Sequence, residues 1–252
     1  TRSLSDLVNK EGRHIKKHLL IRSDALNKID AYDEKILKEQ YHLKRVIDLR
    51  CDNEAKNSPD IPMQGVELCL NPVLPSERVG VSKKGNDEDD FRDFIEAIYK
   101  NGANSSISFM TKVYEELVTK EFSLHAYHQF LMTLLKGVSG ATLWHCSAGK
   151  DRAGLATILV LYLLDFDLDV IIEDYLNTNT YYQDSINQFA LRCGEDYRDV
   201  LCTIFGVRRE YIDVIFHAIQ KNYGDFDTFI EQGLHFSKED KKALKEYYLE
   251  EM

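Results

Sequence analysis

Residues Ala141–Gly154 read ATLWHCSAGKDRAG. A short apolar run ends on a cysteine, passes through small residues and enters a long apolar stretch. Ala141 to Cys146 fits a buried strand, and Arg152 to Leu164, apolar nearly all round, fits a buried helix. The start of that helix presents unpaired backbone N–H groups and a partial positive charge. Ser147, Ala148 and Gly149 are small enough for successive amides to turn inward as an anion nest, which suits a phosphate dianion. The same field favours a thiolate at Cys146, since a free thiol near 8.5 falls to roughly 3.5–7.5 in electropositive sites. Arg152, six residues on, is placed to grip two phosphate oxygens with its planar fork, and Lys150 adds a second cation.

The spacing Cys-x5-Arg is weak by itself, and the chain contains a second copy, Cys202 to Arg208 in CTIFGVR. There Ile204, Phe205 and Val207 would obstruct a tight run of inward amides, and no apolar strand leads in. Cys202 is therefore read as a structural cysteine, and Cys146 as the nucleophile.

His145-Cys146-Ser147-Ala148-Gly149-Lys150-Asp151-Arg152-Ala153-Gly154 resembles the HCxxGKDR[TS]G signature of the atypical bacterial tyrosine phosphatases, within the cysteine-dependent phosphatase superfamily. LLIRSDAL (Leu19–Leu26), VIDLRCDNE (Val46–Glu54), DYLNTN (Asp174–Asn179) and GVRREYIDVIFHAIQKNYGDFDTFI (Gly206–Ile230) are similar to segments that family carries in the same order. The resemblance implies Cys146 as nucleophile, Arg152 as phosphate clamp, and Ser147 to Arg152 as phosphate-binding residues. It also implies activity on phosphotyrosine, with phosphoserine, phosphothreonine or phosphoinositides as further substrates of such enzymes. Two positions depart from the pattern. Ala153 replaces the usual Thr or Ser, a hydroxyl thought to help the thiolate leave, so breakdown of a phosphoenzyme is expected to be slow. Near the N-terminus, Arg2-Ser3-Leu4-Ser5-Asp6 replaces an Arg-Asp-Leu followed by a glycine pair.

Composition bounds the alternatives. A chain of 252 residues with 44% hydrophobic content suits one α/β domain over residues 1–252. With 42 acidic against 32 basic residues, a net −10, it is not expected to bind nucleic acid or anionic membranes broadly. Five cysteines at irregular spacing indicate neither a disulfide framework nor a zinc site, and a reducing, cytoplasmic setting is expected. No apolar run approaches ~18 residues, so no transmembrane segment is expected. The chain begins at Thr1, so a removed leader remains open. No cofactor and no metal are predicted; His125 and His128 lack a third ligand and are read as packing or surface residues.

In chain order, His18–Arg22, the run within His42–Arg50 and Val66–Leu70 read as strands, with a helical segment from about Ala31 to Tyr41 between the first two. That order predicts a mostly parallel sheet flanked by helices. Arg50, Glu54 and Arg22, at strand ends where ligands gather, are read as exposed residues of structural salt bridges orienting the wall of the site, in preference to ligand contacts. Asn57–Pro62 reads as a turn-rich connection, and Gly80–Asp90 as a solvated acidic loop, with a mobile acid-bearing flap as the lesser reading. Phe91–Tyr99, Ser108–Lys120, Ser123–Lys136, Leu168–Asn177, Glu210–Tyr223 and Lys238–Glu250 read as helices. Tyr181–Phe205 is amphipathic, and in the resembling family this region can form a helical lid.

The expected chemistry is phosphomonoester hydrolysis through phosphocysteine. Asp151 fits two roles equally: general acid for the leaving group, or helix-terminal carboxylate orienting the loop amides. His145 is expected to tune the thiolate through backbone hydrogen bonds. A phosphoinositide phosphatase, favoured by Lys150, a phosphate-binding pseudophosphatase, favoured by Ala153, and a sulfurtransferase are the competing readings.

Overall fold

The ATLWH run forms the middle strand of a five-stranded sheet in the computed structural model, which describes residues 1–5, 7–76, 95–100 and 103–251. The strands are β1 (Arg2–Ser3), β2 (His14–Ile15), β3 (Leu20–Ser23), β4 (Leu43–Asp48), β5 (Glu67–Leu70), β6 (Ala141–His145) and β7 (Leu249–Glu250). The main sheet has the order β1-β3-β6-β4-β5, and β2 pairs with β7 in a separate ribbon. β3, β6, β4 and β5 are mutually parallel, with Ser23 and Asp48 flanking His145, and only β1 runs antiparallel. The chain is thus α/β with a mostly parallel sheet flanked by helices.

All five residues of β6 are buried, as expected of a strand covered on both faces. The central helix, Arg152–Leu163, buries eleven of its twelve residues and packs beside β3 and β6. Its fully buried leucines and Ile158 each stabilise the fold by roughly 1.5–3 kcal/mol. Helices Ala103–Thr119, Glu121–Leu135, Leu168–Leu176, Arg209–Tyr223 and Lys238–Tyr248 pack the principal core around it. A second apolar cluster is separate: Ile186 and Ala190 of helix Thr178–Cys193 pack with Val200, Leu201 and Ile204 of helix Arg198–Phe205 and with Ile95.

Several local expectations change. The segment after Ala31 is α-helical only to Lys35 and continues as π-helix over Ile36–Gln40. A helix, Asp52–Asn57, precedes the turn-rich connection. Helix Ala103–Thr119 begins five residues before the predicted start, because ANSS extends the helix rather than forming a turn. Tyr181–Phe205 divides at Gly194, whose φ of +114° ends one helix before the next begins. The departing N-terminal segment begins with β1, anchored where Arg2 Nη2 donates to Asp174 Oδ2 at 2.8 Å. Gly80–Asp90, and with it the acid-bearing flap, lies outside the described residues.

Candidate active site

β6 delivers Cys146 to the C-terminal edge of the parallel strands, and the chain turns through Ser147–Asp151 into the central helix. What shapes this turn is the fate of its carbonyls. His145 O accepts from Leu49 N at 2.9 Å, Ser147 O from Ala25 N at 3.4 Å, and Asp151 O from Leu155 N at 2.9 Å. Cys146 O lies 3.1 Å from the His145 ring Nδ1. The Tyr182 hydroxyl donates to Ala148 O. Arg22 holds the next two, donating from Nε to Gly149 O at 2.7 Å and from Nη2 to Lys150 O at 3.1 Å. Across a trans peptide the N–H points opposite the C=O. The six carbonyls from Cys146 to Asp151, drawn outward, therefore turn the amides of Ser147 to Arg152 toward the space beside Cys146.

Gly149 makes the turn possible. Its φ is +64°, and a Cβ there would stand 2.4 Å from Ser23 O and 2.7 Å from Asp24 N, so both the backbone conformation and the contact with the end of β3 exclude a side chain. Gly154, one turn into the helix, leaves room for Arg22 Nη2 and the Tyr175 ring, which a Cβ would meet at 3.2 and 3.3 Å.

Arg152 is 4% exposed and its guanidinium faces the loop. Nη1 and Nη2 donate to Glu54 Oε2 and Oε1 at 2.5 and 2.9 Å, and Nη2 reaches Ser147 Oγ at 3.2 Å. Ser147 Oγ donates to Glu54 Oε1 at 2.6 Å. Burial by itself would raise the Glu54 carboxyl, but Arg152 and Ser147 hold it down to about 2. Burial likewise opposes the charge on Arg152, and the nearby Cys146 and Glu54 outweigh it, raising its proton affinity. Glu54 is placed by its own helix: Cys51 N donates to Oε2 at 3.0 Å in a capping box. A buried, hydrogen-bonded fork of this kind is pre-aimed before any anion arrives.

Behind the loop, His145 is fully buried with Nε2 2.8 Å from Asp60 Oδ2. Asp60 and Asp48 share the Arg50 guanidinium, with Nη2 2.9 Å from Asp60 Oδ1 and 2.8 Å from Asp48 Oδ2. Burial raises the Asp60 carboxyl, and His145 and Arg50 more than offset it. Asp48, Asp60 and His145 also have the makings of a cation site, but Arg50 already supplies the positive charge there. His128 Nδ1 lies 2.8 Å from Leu234 O, a packing contact between its helix and the segment after Gly233.

The sequence-predicted residues Cys146, Ser147, Ala148, Gly149, Lys150, Asp151 and Arg152 thus come together in one loop. Three ion-pair expectations need correction. Arg50 and Arg22 are each 3% exposed rather than surface residues, with Arg50 paired to Asp48 and Asp60, and Glu54 reaches into the site to hold Arg152. Burial lowers the Arg22 proton affinity, partly countered by Asp174 and Cys146, consistent with its place behind the thiol. Lys150 is 3% exposed, its Nζ 2.9 Å from the Asp151 carboxylate. Asp151 occupies the N-cap position without capping its helix, and Tyr114 donates to its Oδ1 at 2.5 Å. Tyr114, Tyr182 and Tyr127, whose hydroxyl donates to Arg152 O at 3.1 Å, escaped the sequence reading, and Glu54 was read only as part of the wall, not as the partner of Arg152.

Cys202 lies within a helix instead. Its carbonyl accepts from Gly206 N at 3.0 Å, and burial pushes its thiol up. Arg208 turns away to Glu210 at 3.3 Å. Among the described residues no helix is long and apolar enough to cross a membrane.

Comparison with known proteins agrees with this geometry. The triple specificity protein phosphatase PtpB of Mycobacterium tuberculosis is 26% identical over 238 residues, covering 84% of each chain. A putative tyrosine-protein phosphatase of Cupriavidus necator, H16_A0669, is 31% identical over 145 residues, 56% of this chain and 50% of that protein. Residues 1–250 match the tyrosine phosphatase family as a whole; with a match of that extent over a loop built as described, the chain belongs to the tyrosine phosphatase family.

Proposed function

We propose that this protein tyrosine phosphatase hydrolyses phosphotyrosine through a phosphocysteine on Cys146. The observation that carries this is the ring of outward carbonyls, which leaves inward amides and the Arg152 fork around a single thiol. The Cys146 thiolate attacks phosphorus in line, and the bond from phosphorus to the phenolic oxygen breaks. Asp151 gives its proton to that oxygen, while the amides and Arg152 bind the equatorial oxygens as charge develops. Water then attacks phosphorus, the S–P bond breaks, the thiolate returns, and Asp151 takes the water's proton. Asp151 is better suited to the acid role than to orienting amides, because its carboxylate points at Tyr114 and Lys150 and makes no bond to the helix N-terminus.

Phosphotyrosine suits the depth of the site. Cys146 is 2% exposed and lies near the buried Tyr127 and the half-buried Tyr182, so a long aromatic phosphoester reaches it more readily than a serine phosphate. Lys150 is engaged by Asp151, which weakens the case for a multiply phosphorylated ring. Helix Thr178–Cys193, carrying Tyr182, acts as a cover that moves to admit substrate; its residues pack in the separate cluster rather than in the main core. Hydrogen exchange tests the cover: Thr178–Phe205 should exchange faster than Arg152–Leu163, and equal protection with and without phosphate would exclude it. Substrate class is tested by parallel turnover of a phosphotyrosyl peptide, a phosphoseryl peptide and a soluble phosphoinositide. The phosphotyrosyl peptide should have the highest kcat/KM, and a phosphoinositide preference would overturn the assignment.

A further inference from the structure

An aspartate at the N-cap of a helix ordinarily folds back to accept from the amides of the first turn, an interaction worth about 1 kcal/mol. Asp151 forgoes it. Its Oδ1 accepts instead from the Tyr114 hydroxyl at 2.5 Å and from Lys150 Nζ at 2.9 Å. Lys150 is the adjacent residue and moves with the loop, whereas Tyr114 belongs to helix Ala103–Thr119 and is fixed independently of it. The Tyr114 ring is fully buried, stacked on Tyr211 at 5.0 Å and 23°, and edge-on to Tyr175 at 6.3 Å and 87°. Its hydroxyl accepts from Tyr175 OH at 2.7 Å, so its own proton is committed to Asp151. Tyr175 comes from helix Leu168–Leu176, and its ring also packs where Gly154 leaves room. Two helices outside the loop thus converge, through two hydroxyls, on one carboxylate.

On the basis of Asp151 as the acid, we infer that Tyr114 is a positioning residue for the reaction: it draws the Asp151 carboxyl off the helix N-terminus and holds it toward the leaving-group oxygen, with Tyr175 fixing the direction of the Tyr114 hydroxyl. Removing that hydroxyl lets Asp151 swing back to cap the first turn. There its proton is out of reach of the leaving group, and its charge lies against the amides that bind phosphate.

The test is Tyr114→Phe, which keeps the stacked ring and deletes one oxygen. Loss of positioning should fall on the step that needs the proton, so kcat/KM is compared for phenyl phosphate, whose leaving group needs protonation, and 4-nitrophenyl phosphate, whose leaving group needs it little. Because general acids contribute about 10²–10⁴-fold, phenyl phosphate turnover should fall about tenfold or more, and 4-nitrophenyl phosphate turnover by less than about threefold. In an Asp151→Asn background Tyr114→Phe should have no further effect on the ratio of the two substrates. Tyr175→Phe, which leaves both Tyr114 and Asp151 in place, should show the same ordering at smaller size. An equal loss on both substrates, or a Tyr114→Phe effect that persists without the Asp151 carboxyl, would overturn the role; if Tyr114→Phe does not fold, the same two outcomes in Tyr175→Phe decide it. The acid assignment fails separately, if Asp151→Asn alone leaves the ratio of the two substrates at its wild-type value.

Discussion

Two segments of this chain carry a cysteine and an arginine at the same spacing, and they have opposite fates. In Cys146–Arg152 the carbonyls are taken by donors outside the loop, among them Arg22 and Tyr182, so the amides face inward and the guanidinium stays with them. In Cys202–Arg208 the first residues are helical, so their amides are spent on carbonyls four residues back; Ile204 and Val207 are buried as core, and Arg208 is 37% exposed beside Glu210. The spacing is common to both. What differs is who satisfies the carbonyls, and that is a property of residues far away in sequence.

The comparison can be broken most directly at the sulfurs. Cys146→Ser should lower kcat/KM by about 10⁴-fold or more, while Cys202→Ser should leave it within about twofold. The reverse pattern in steady-state turnover would transfer the nucleophile to the other segment.

Each segment also has a glycine without room for a side chain. Gly149→Ala adds a Cβ 2.4 Å from Ser23 O in a left-handed conformation, so it must displace the loop and should reduce kcat/KM by about 10²–10³-fold with weaker inhibition by inorganic phosphate. Gly206→Ala adds one 2.4 Å from Cys202 O at a helix end, and should appear in the thermal midpoint as a loss of about 1–3 kcal/mol, with kcat/KM little changed. Equal effects of the two on phosphate inhibition would remove the distinction.

The arginines differ in their carboxylate partners, and pH sharpens that difference. The Glu54 side chain is 8% exposed and its carboxyl is held down to about 2, below the ordinary value near 4.3. A depressed carboxylate contributes fully above its unfolded value and loses that contribution as pH falls toward the folded one. The Arg152–Glu54 pair should therefore add about 3 kcal/mol of stability above roughly pH 4.3, lost between there and about pH 2. The exposed Arg208–Glu210 pair should add about 1 kcal/mol or less. Urea midpoints measured from pH 7 to 2.5 for the parent, Glu54→Gln and Glu210→Gln should show a flatter acid limb only in Glu54→Gln. An unchanged limb in that variant would mean that Glu54 is not the buried partner.

The smallest expected effect lies at Ala153, which is fully buried and follows the clamp arginine. If slow breakdown of phosphocysteine limits turnover, Ala153→Thr should raise kcat a few-fold, and the parent should show a burst of phenol release that the variant loses. A parent without a burst and a variant without a gain would refute slow breakdown.

The strand, the small-residue turn and the buried helix were legible because they are local: apolar content, small side chains and a glycine lie within fourteen consecutive positions, Ala141–Gly154. The parallel sheet followed from alternating strands and helices. What could not be read was every contact made across the sequence. Arg22, Arg50 and Glu54 look like surface charges in the sequence, and their burial depends on partners distant in the chain: Asp174 and the loop carbonyls for Arg22, Asp60 for Arg50, and Arg152 for Glu54. Tyr114, Tyr175 and Tyr182 were three of 14 tyrosines with nothing in their neighbours to single them out. β1, β2 and β7 are two-residue strands, too short for any periodicity to register.

The central claim is that one thiol, at the floor of the amide ring, carries the phosphoryl group. Acid quench of the enzyme within the first turnover of a ³²P-labelled phosphotyrosyl peptide, followed by peptide mapping, tests it. The account predicts an acid-stable, iodine-labile label on the peptide containing Cys146 and none on the peptide containing Cys202. Turnover with no label on Cys146, or a label carried by any other residue, would contradict it.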